Sequence, residues 1–307
     1  MSSTATGVAF GFTAYVLWGF QPAYWKLLDG LDAYQLAMHR IIWSLPIVGI
    51  VLVLRRDLPA LVAAVRQKQV LAAYAITALL LSANFFLSLW AVSAGFVLQM
   101  SLGFFINPLV TVLLGVLFLH EGLSQVQWCA MGLATTGVVV VTVGEGEFPW
   151  VALSIAFVNG VFVLLRKFAP LSGLLATTIE ISMLSVPATI YIIVCEASGS
   201  GVMNLAPDVS TELLIMGCGA WSVVPLLLLS LSIDRIPLVV LGVLQFVGPT
   251  LNTILGLVEF GEEPSQSLVI GFTCVVLALI IFTYASVTAA PPTEEAAPLL
   301  PQTSGKE

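Results

Sequence analysis

Two stretches decide the fold: Ser-Leu-Gly-Phe-Phe-Ile-Asn-Pro-Leu-Val-Thr-Val-Leu-Leu-Gly over residues 101–115, and Gly-Val-Leu-Gln-Phe-Val-Gly-Pro-Thr-Leu-Asn-Thr-Ile-Leu-Gly over residues 242–256. Each is an apolar run with a proline near its middle and a glycine at its end. A shift of 141 residues superposes them without a gap, so that Phe105 meets Phe246, Pro108 meets Pro249 and Gly115 meets Gly256. The same shift carries Trp18-Gly19 onto Asn159-Gly160, Lys26 onto Lys167, His39 onto Glu180, Ser44 onto Ser185, Pro46 onto Pro187 and Glu121 onto Glu262. Leucine and valine matches mean little between two apolar segments, but aligned prolines, glycines and loop-end carboxylates point to an internal repeat.

Composition says what kind of repeat it is. The chain has 307 residues, 59% of them hydrophobic and 9% charged. A soluble domain carries roughly 45–50% apolar and about 25% charged residues. So few charges cannot cover a surface in water, which excludes a soluble enzyme, and the net charge of −7 offers no basic face to nucleic acid. The four cysteines, at 129, 195, 218 and 274, lack metal-ligand or disulfide spacing and read as small buried hydrophobes. The sequence implies neither cofactor nor metal.

A membrane-crossing helix needs about 20 mostly apolar residues. Ten such runs occur, at 7–28, 34–54, 69–92, 97–119, 125–143, 149–168, 174–194, 212–231, 237–258 and 266–287. The loops between them read as turns, and only Glu196–Thr211 has room for structure of its own. Five runs fall in each half, an odd number, so the second half enters the bilayer from the opposite side. The fold expected is therefore an all-α integral membrane protein of ten helices, built as two inverted five-helix repeats over residues 1–146 and 147–288. A Pro-rich, disordered cytoplasmic tail over 289–307 follows. With both termini in the cytoplasm, Arg55, Arg56, Arg66, Lys68, Arg166, Lys167, Arg235 and Lys306 lie inside, while the outer loops hold acids such as Asp29, Asp32, Glu196, Glu262 and Glu263.

Polar residues inside spans are costly and mark cavities or partners. His39 and Glu180 are repeat mates near opposite membrane faces. With Arg40, they read either as gating or proton-coupling groups or as interfacial residues, Arg40 snorkelling toward Asp29 and Asp32 and Glu180 pairing with Arg166 or Lys167. Pro108 and Pro249 should kink their helices and make a wall that bends. Tyr15 and Trp18 could stack on a flat ligand or pack as core. A buried Asn84 needs a partner. Gly132 and Gly137 suggest tight helix packing or a homodimer contact.

These residues carry a resemblance. The stretches Ala14-Tyr15-Val-Leu-Trp18-Gly19-Phe-Gln-Pro22, His39-Arg40-Ile-Ile-Trp43-Ser44, Asn84-Phe-Phe-Leu-Ser-Leu-Trp90 and Leu241-Gly-Val-Leu-Gln245-Phe-Val-Gly-Pro249-Thr resemble RarD proteins, EamA-type members of the drug/metabolite transporter superfamily. The resemblance spans roughly residues 7–287. It implies the ten-helix inverted repeat, a bacterial plasma membrane, and a central cavity to which Tyr15, Trp18, Asn84, Asn107, Asn159 and Gln245 contribute. The chain departs from the family pattern at Gln99, where similar sequences often carry Glu, and at His120-Glu121-Gly122, where they carry Gly-Glu-Arg. The function expected is a gradient-driven secondary transporter, an exporter of a small amino acid-like, aromatic or drug-like compound, working by alternating access among membrane lipid. A passive channel and an intramembrane enzyme are the alternatives.

Overall fold

The computed structural model describes residues 3–94, 96–145, 148–171, 173–206, 208–259 and 265–288. The expected tail and the loop acids Glu262 and Glu263 lie outside them. The described chain is helical, in the order α1 Ser3–Gly19, α2 Gln21–Lys26, α3 Ala33–Arg55, α4 Leu58–Val65, α5 Lys68–Ser93, α6 Val97–Leu119, α7 Gln125–Glu145, α8 Trp150–Phe168, α9 Gly173–Ala197, α10 Val202–Leu205, α11 Val209–Ile233, α12 Leu238–Leu244, α13 Val247–Glu259 and α14 Gln266–Thr288.

Each apolar run of the sequence is one helix or a broken pair. Seven helices among the described residues are long and apolar enough to cross a membrane: α3, α5, α6, α7, α8, α9 and α11. Runs 7–28 and 237–258 are each split. Pro22 has no N–H and its ring crowds the carbonyl four residues back, at Trp18, so α1 stops at Gly19 and α2 begins at Gln21. Pro249 does the same at the Gln245 carbonyl, and the chain leaves the α-helix at Gln245–Phe246. There Phe246 N–H donates instead to Val243 O in a tighter turn (3.2 Å). Helix α6, by contrast, runs unbroken through Pro108.

Two sequence readings need correction. The 2–3 connection is more than a turn, because Pro59 opens the short helix α4 within it. Only Cys218 is buried; Cys129 is exposed, and Cys195 and Cys274 are intermediate. In lipid an outward cysteine costs little, so burial cannot be inferred from an apolar neighbourhood alone.

Carboxylates and amides fasten the helix starts. Asp32 and Asp208 cap α3 and α11 by accepting from Gln35 N–H and Thr211 N–H, both at 2.8 Å. The Thr211 N–H and the Ser210 and Thr211 hydroxyls hold the Asp208 carboxyl below the usual aspartate range. Its contribution to α11 is therefore present above that range and fades as pH falls through the lowered value. Glu121 caps α12 with both oxygens, accepting from Leu238 N–H (2.7 Å) and Val239 N–H (2.6 Å). Gln99 accepts from Val151 N–H at the start of α8 (3.1 Å).

The surface is apolar where lipid would lie. Ile50, Val53 and Leu54 on α3, and Val186, Ile190, Ile193 and Val194 on α9, are all more than half exposed. Helices α7 and α14 pack together at one side, so closely that a Cβ on Gly137 would come within 2.7 Å of Gly271 O. Gly132, one turn earlier, faces open space.

Two shallow apolar crevices flank this pair. The first is lined by Leu102, Phe105, Gly137, Val138, Val141, Gly271, Phe272 and Val275. Moving each of these by 141 positions, forward in the first half and backward in the second, gives Val243, Phe246, Ala278, Leu279, Phe282, Ala130, Met131 and Ala134. Those eight residues line the second crevice. Close approaches repeat in the same way. A Cβ on Gly103 would lie 3.2 Å from Ala152 Cα, and one on Gly11 would lie 2.9 Å from Leu244. A Cβ on Gly160 would lie 2.8 Å from Val110, and one on Gly19 2.6 Å from Leu251.

Candidate functional site

The polar groups of the spans fall into three layers. The first ties together the ends of α5, α8, α9 and α11. Arg166 donates to Glu180 (2.7 Å) and to Ser230 Oγ (2.6 Å), Thr77 donates to the other Glu180 oxygen (2.6 Å), and the Thr177 and Ser230 hydroxyls share a hydrogen bond (2.7 Å). Glu180 is completely buried. Burying such a pair is made tolerable by the hydroxyls of Thr77, Thr177 and Ser230, which add hydrogen bonds to both members. Of the two cations weighed for Glu180, Arg166 is the one that pairs with it. Lys167 instead closes the end of α11, donating to Ile233 O and Ile236 O, both at 2.6 Å.

A second layer lies at the opposite end. His39 Nε2 approaches Glu196 at 3.8 Å, beyond hydrogen-bonding reach, and is buried without a hydrogen-bond partner among the described residues. Glu196 is itself held by Met203 N–H and Asn204 N–H. Gln35 bridges the same end, donating to Ser200 O and accepting from Val202 N–H. Arg40 does not reach Asp29 or Asp32 as a snorkelling residue would. It is buried, with its guanidinium 3.5 Å from the centre of the Phe85 ring.

Between these ends lies a mid-depth belt. The Tyr15 and Trp18 rings lie 5.4 Å apart, and the Tyr15 hydroxyl lies beside Gln245, whose carbonyl accepts from Thr111 (3.0 Å). The structure thus brings Tyr15, Trp18 and Gln245 into one group joining α1, α6 and α12. Asn84 is buried and donates to Ile155 O (3.2 Å), which binds α5 to α8. Asn107 is buried with its carbonyl oxygen unpartnered, and Asn159 is half-buried. Further unpartnered buried atoms, among the described residues, are the indole nitrogens of Trp43 and Trp221, the Ser222 and Thr250 hydroxyls and the Asn252 carbonyl. Buried polar groups are ordinarily satisfied, so these atoms within the spans are candidates for contact with a polar guest.

The sequence reading missed Trp43, Trp221, Ser222 and Thr250 as site residues. Their signal was present but weak: single small hydroxyls and indoles inside apolar runs, which only packing distinguishes from lipid-facing residues. Tyr24 gives a further example, stacked on Trp221 at 5.2 Å with its hydroxyl donating to Leu214 O (2.6 Å). Among the described residues, no cluster of His, Cys, Asp and Glu is suited to a metal ion.

The chain is similar to known proteins. A family described as the EamA-like transporter family matches residues 5–143. A protein called Uncharacterized transporter YojE, from Bacillus subtilis (strain 168), is 35% identical over 289 residues, covering 93% of this chain and 96% of its own length. Protein RarD of Streptomyces exfoliatus is 35% identical over 279 residues, covering 91% of this chain and 88% of its own length. Protein RarD of Escherichia coli (strain K12) is 34% identical over 279 residues, covering 91% of this chain and 94% of its own length. One solved structure superposes with a TM-score of 0.69 at 18% identity, over 93% of this chain and all of that one, a likeness of fold alone.

Proposed function

Because the chain belongs to the EamA-like transporter family, in its RarD branch, we propose that it is a gradient-driven exporter of a small metabolite, built as two inverted five-helix repeats that rock about the mid-depth belt. The observation that carries this reading is the exchange of the two crevices under the 141-residue shift. Contacts that swap partners in both directions belong to a two-fold axis, as in an isologous dimer. With five spans in each half, such an axis lies in the membrane plane, the symmetry of many alternating-access carriers. The split at Gln245–Phe246, against an unbroken α6, supplies a flexible joint on one side of the belt. Both termini lie in the cytoplasm of a bacterium, and the bundle is a multi-pass protein of its plasma membrane.

Arg66 and Asn204 occupy loops that the repeat relates and places on opposite membrane faces. In a chain with Cys129, Cys195, Cys218 and Cys274 replaced, Asn204→Cys should react in intact cells with a membrane-impermeant maleimide. Arg66→Cys should react only after permeabilisation. Labelling of both from one face would remove the inverted arrangement.

Transport is tested separately. A deletion strain should accumulate one group of metabolites inside and lose it from the medium, and overexpression should reverse both changes. Unchanged metabolite profiles in both strains would remove the exporter reading.

A further inference from the structure

Fully charged side chains buried among the described residues are Arg40, Arg166 and Glu180, two cations and one anion. Arg166 and Glu180 neutralise each other. Arg40 has no carboxylate within 4 Å among the described residues; Phe85 covers one face of its guanidinium, and Cys218 lies close enough to feel its charge. An uncompensated buried charge is strongly unfavourable unless something pairs with it. One turn further along α3 and α11, respectively, the Trp43 and Trp221 indole N–H groups and the Ser222 hydroxyl are buried without partners. Phe85 in turn packs against the apolar cluster that contains Tyr15 and Leu241, so the cation borders the cluster that holds Tyr15 of the mid-depth belt.

We infer that Arg40 is the anion-binding residue of the transport site, and that the exported compound carries one carboxylate on an apolar or aromatic body. This rests on the transport reading above and names its substrate class. A planar guanidinium with one face covered still presents an edge that pairs with both oxygens of a carboxylate, with indole and hydroxyl donors to complete its hydrogen bonds. A single cation balances a monoanion; a phosphate dianion would need a second one. The aromatic walls fit an apolar body.

The test uses the full-length protein in liposomes loaded with a deproteinised bacterial cell extract, with released compounds identified by mass spectrometry. Wild-type protein should release carboxylate-bearing compounds above the protein-free background. Arg40→Met should reduce that release by on the order of 100-fold, and Arg40→Lys, which keeps charge but loses the planar fork, should fall between. Removing an unpaired buried cation should leave the melting temperature of the ligand-free Arg40→Met protein unchanged or raise it. Release limited to neutral, cationic or phosphorylated compounds overturns the assignment, as does an Arg40→Met protein that transports at the wild-type rate or melts well below it. If wild-type vesicles release nothing beyond the background, the transport reading itself fails and the site fails with it.

Discussion

Glu180→Gln is expected to destabilise the folded bundle by about 3–5 kcal/mol, the cost of stranding one member of a buried ion pair. The Arg166 guanidinium, 3% exposed in its side chain, would keep its charge and lose its counter-charge, since the remaining groups around it are the hydroxyls of Thr177 and Ser230. The reverse loss, Arg166→Met, leaves the carboxylate with Thr77 as its sole hydrogen-bond donor among the described residues. The double change Arg166→Met with Glu180→Met should recover much of either single loss, because an apolar pair needs no compensation. Unfolding in mixed detergent micelles measures all three. A single-mutant loss below about 1 kcal/mol would mean that water reaches the pair and screens it. The same variants decide whether Glu180 also couples protons to transport, since a proton-coupling carboxylate gives flux a pH dependence that glutamine removes.

Gly219→Val should disrupt the seam between α3 and α11. A Cβ at Gly219 would overlap the Trp43 carbonyl carbon and oxygen, which are backbone and cannot rotate aside. Ser44 spans the same crossing, donating to Arg40 O (2.6 Å) and Gly219 O (3.1 Å). The two helices would have to move apart, breaking that bridge and shifting Arg40. Overpacking of this kind costs roughly 1–3 kcal/mol and sometimes more, and export should fall with it because the anion site straddles the seam. Gly49→Val, on α3 itself, is the control. A Cβ there meets nothing within 4 Å, and its effect on stability should stay within about 0.5 kcal/mol. Equal losses at the two positions would show that the close crossing does not govern packing.

Much of the helical layout was legible because lipid imposes a length and a hydrophobicity that no globular core demands. The ten apolar runs coincide with helices for this reason. What stayed hidden were the interruptions. Pro22, Pro108 and Pro249 look alike in sequence, yet two split their helices and one does not. Which outcome follows depends on the neighbours that stabilise the freed carbonyl, and those come from other helices. Helix α4 was hidden by an apolar stretch too short to count as a span.

At the site, intramembrane polarity picked out Tyr15, Asn84, Asn107 and Gln245, all buried in the structure. It offered Arg40 either as a gating group or as a cation snorkelling toward Asp29 and Asp32, since a cation near a helix end has two ways to escape lipid, outward or inward. Sequence holds no record of the Phe85 ring that settled the choice. Gln99 shows the same limit. Its position, where similar sequences often carry Glu, stood out only as a departure from the family pattern, while its carbonyl caps the start of α8, a role that concerns shape rather than charge.

The ends of the bundle are fastened unequally. One is stitched by a carboxylate, a guanidinium and three hydroxyls in mutual contact; its counterpart has an imidazole 3.8 Å from its acid. If the two ends open in turn, as in the alternating access proposed above, such an imbalance would act as a ratchet spring, holding the empty carrier in one posture. Each 1.4 kcal/mol of difference between the latches biases that posture about tenfold. In the proposed orientation the tighter end is the cytoplasmic one, so the empty exporter would rest open outward, and the return stroke with nothing bound, which reopens the site to the cytoplasm, would set the pace of the cycle.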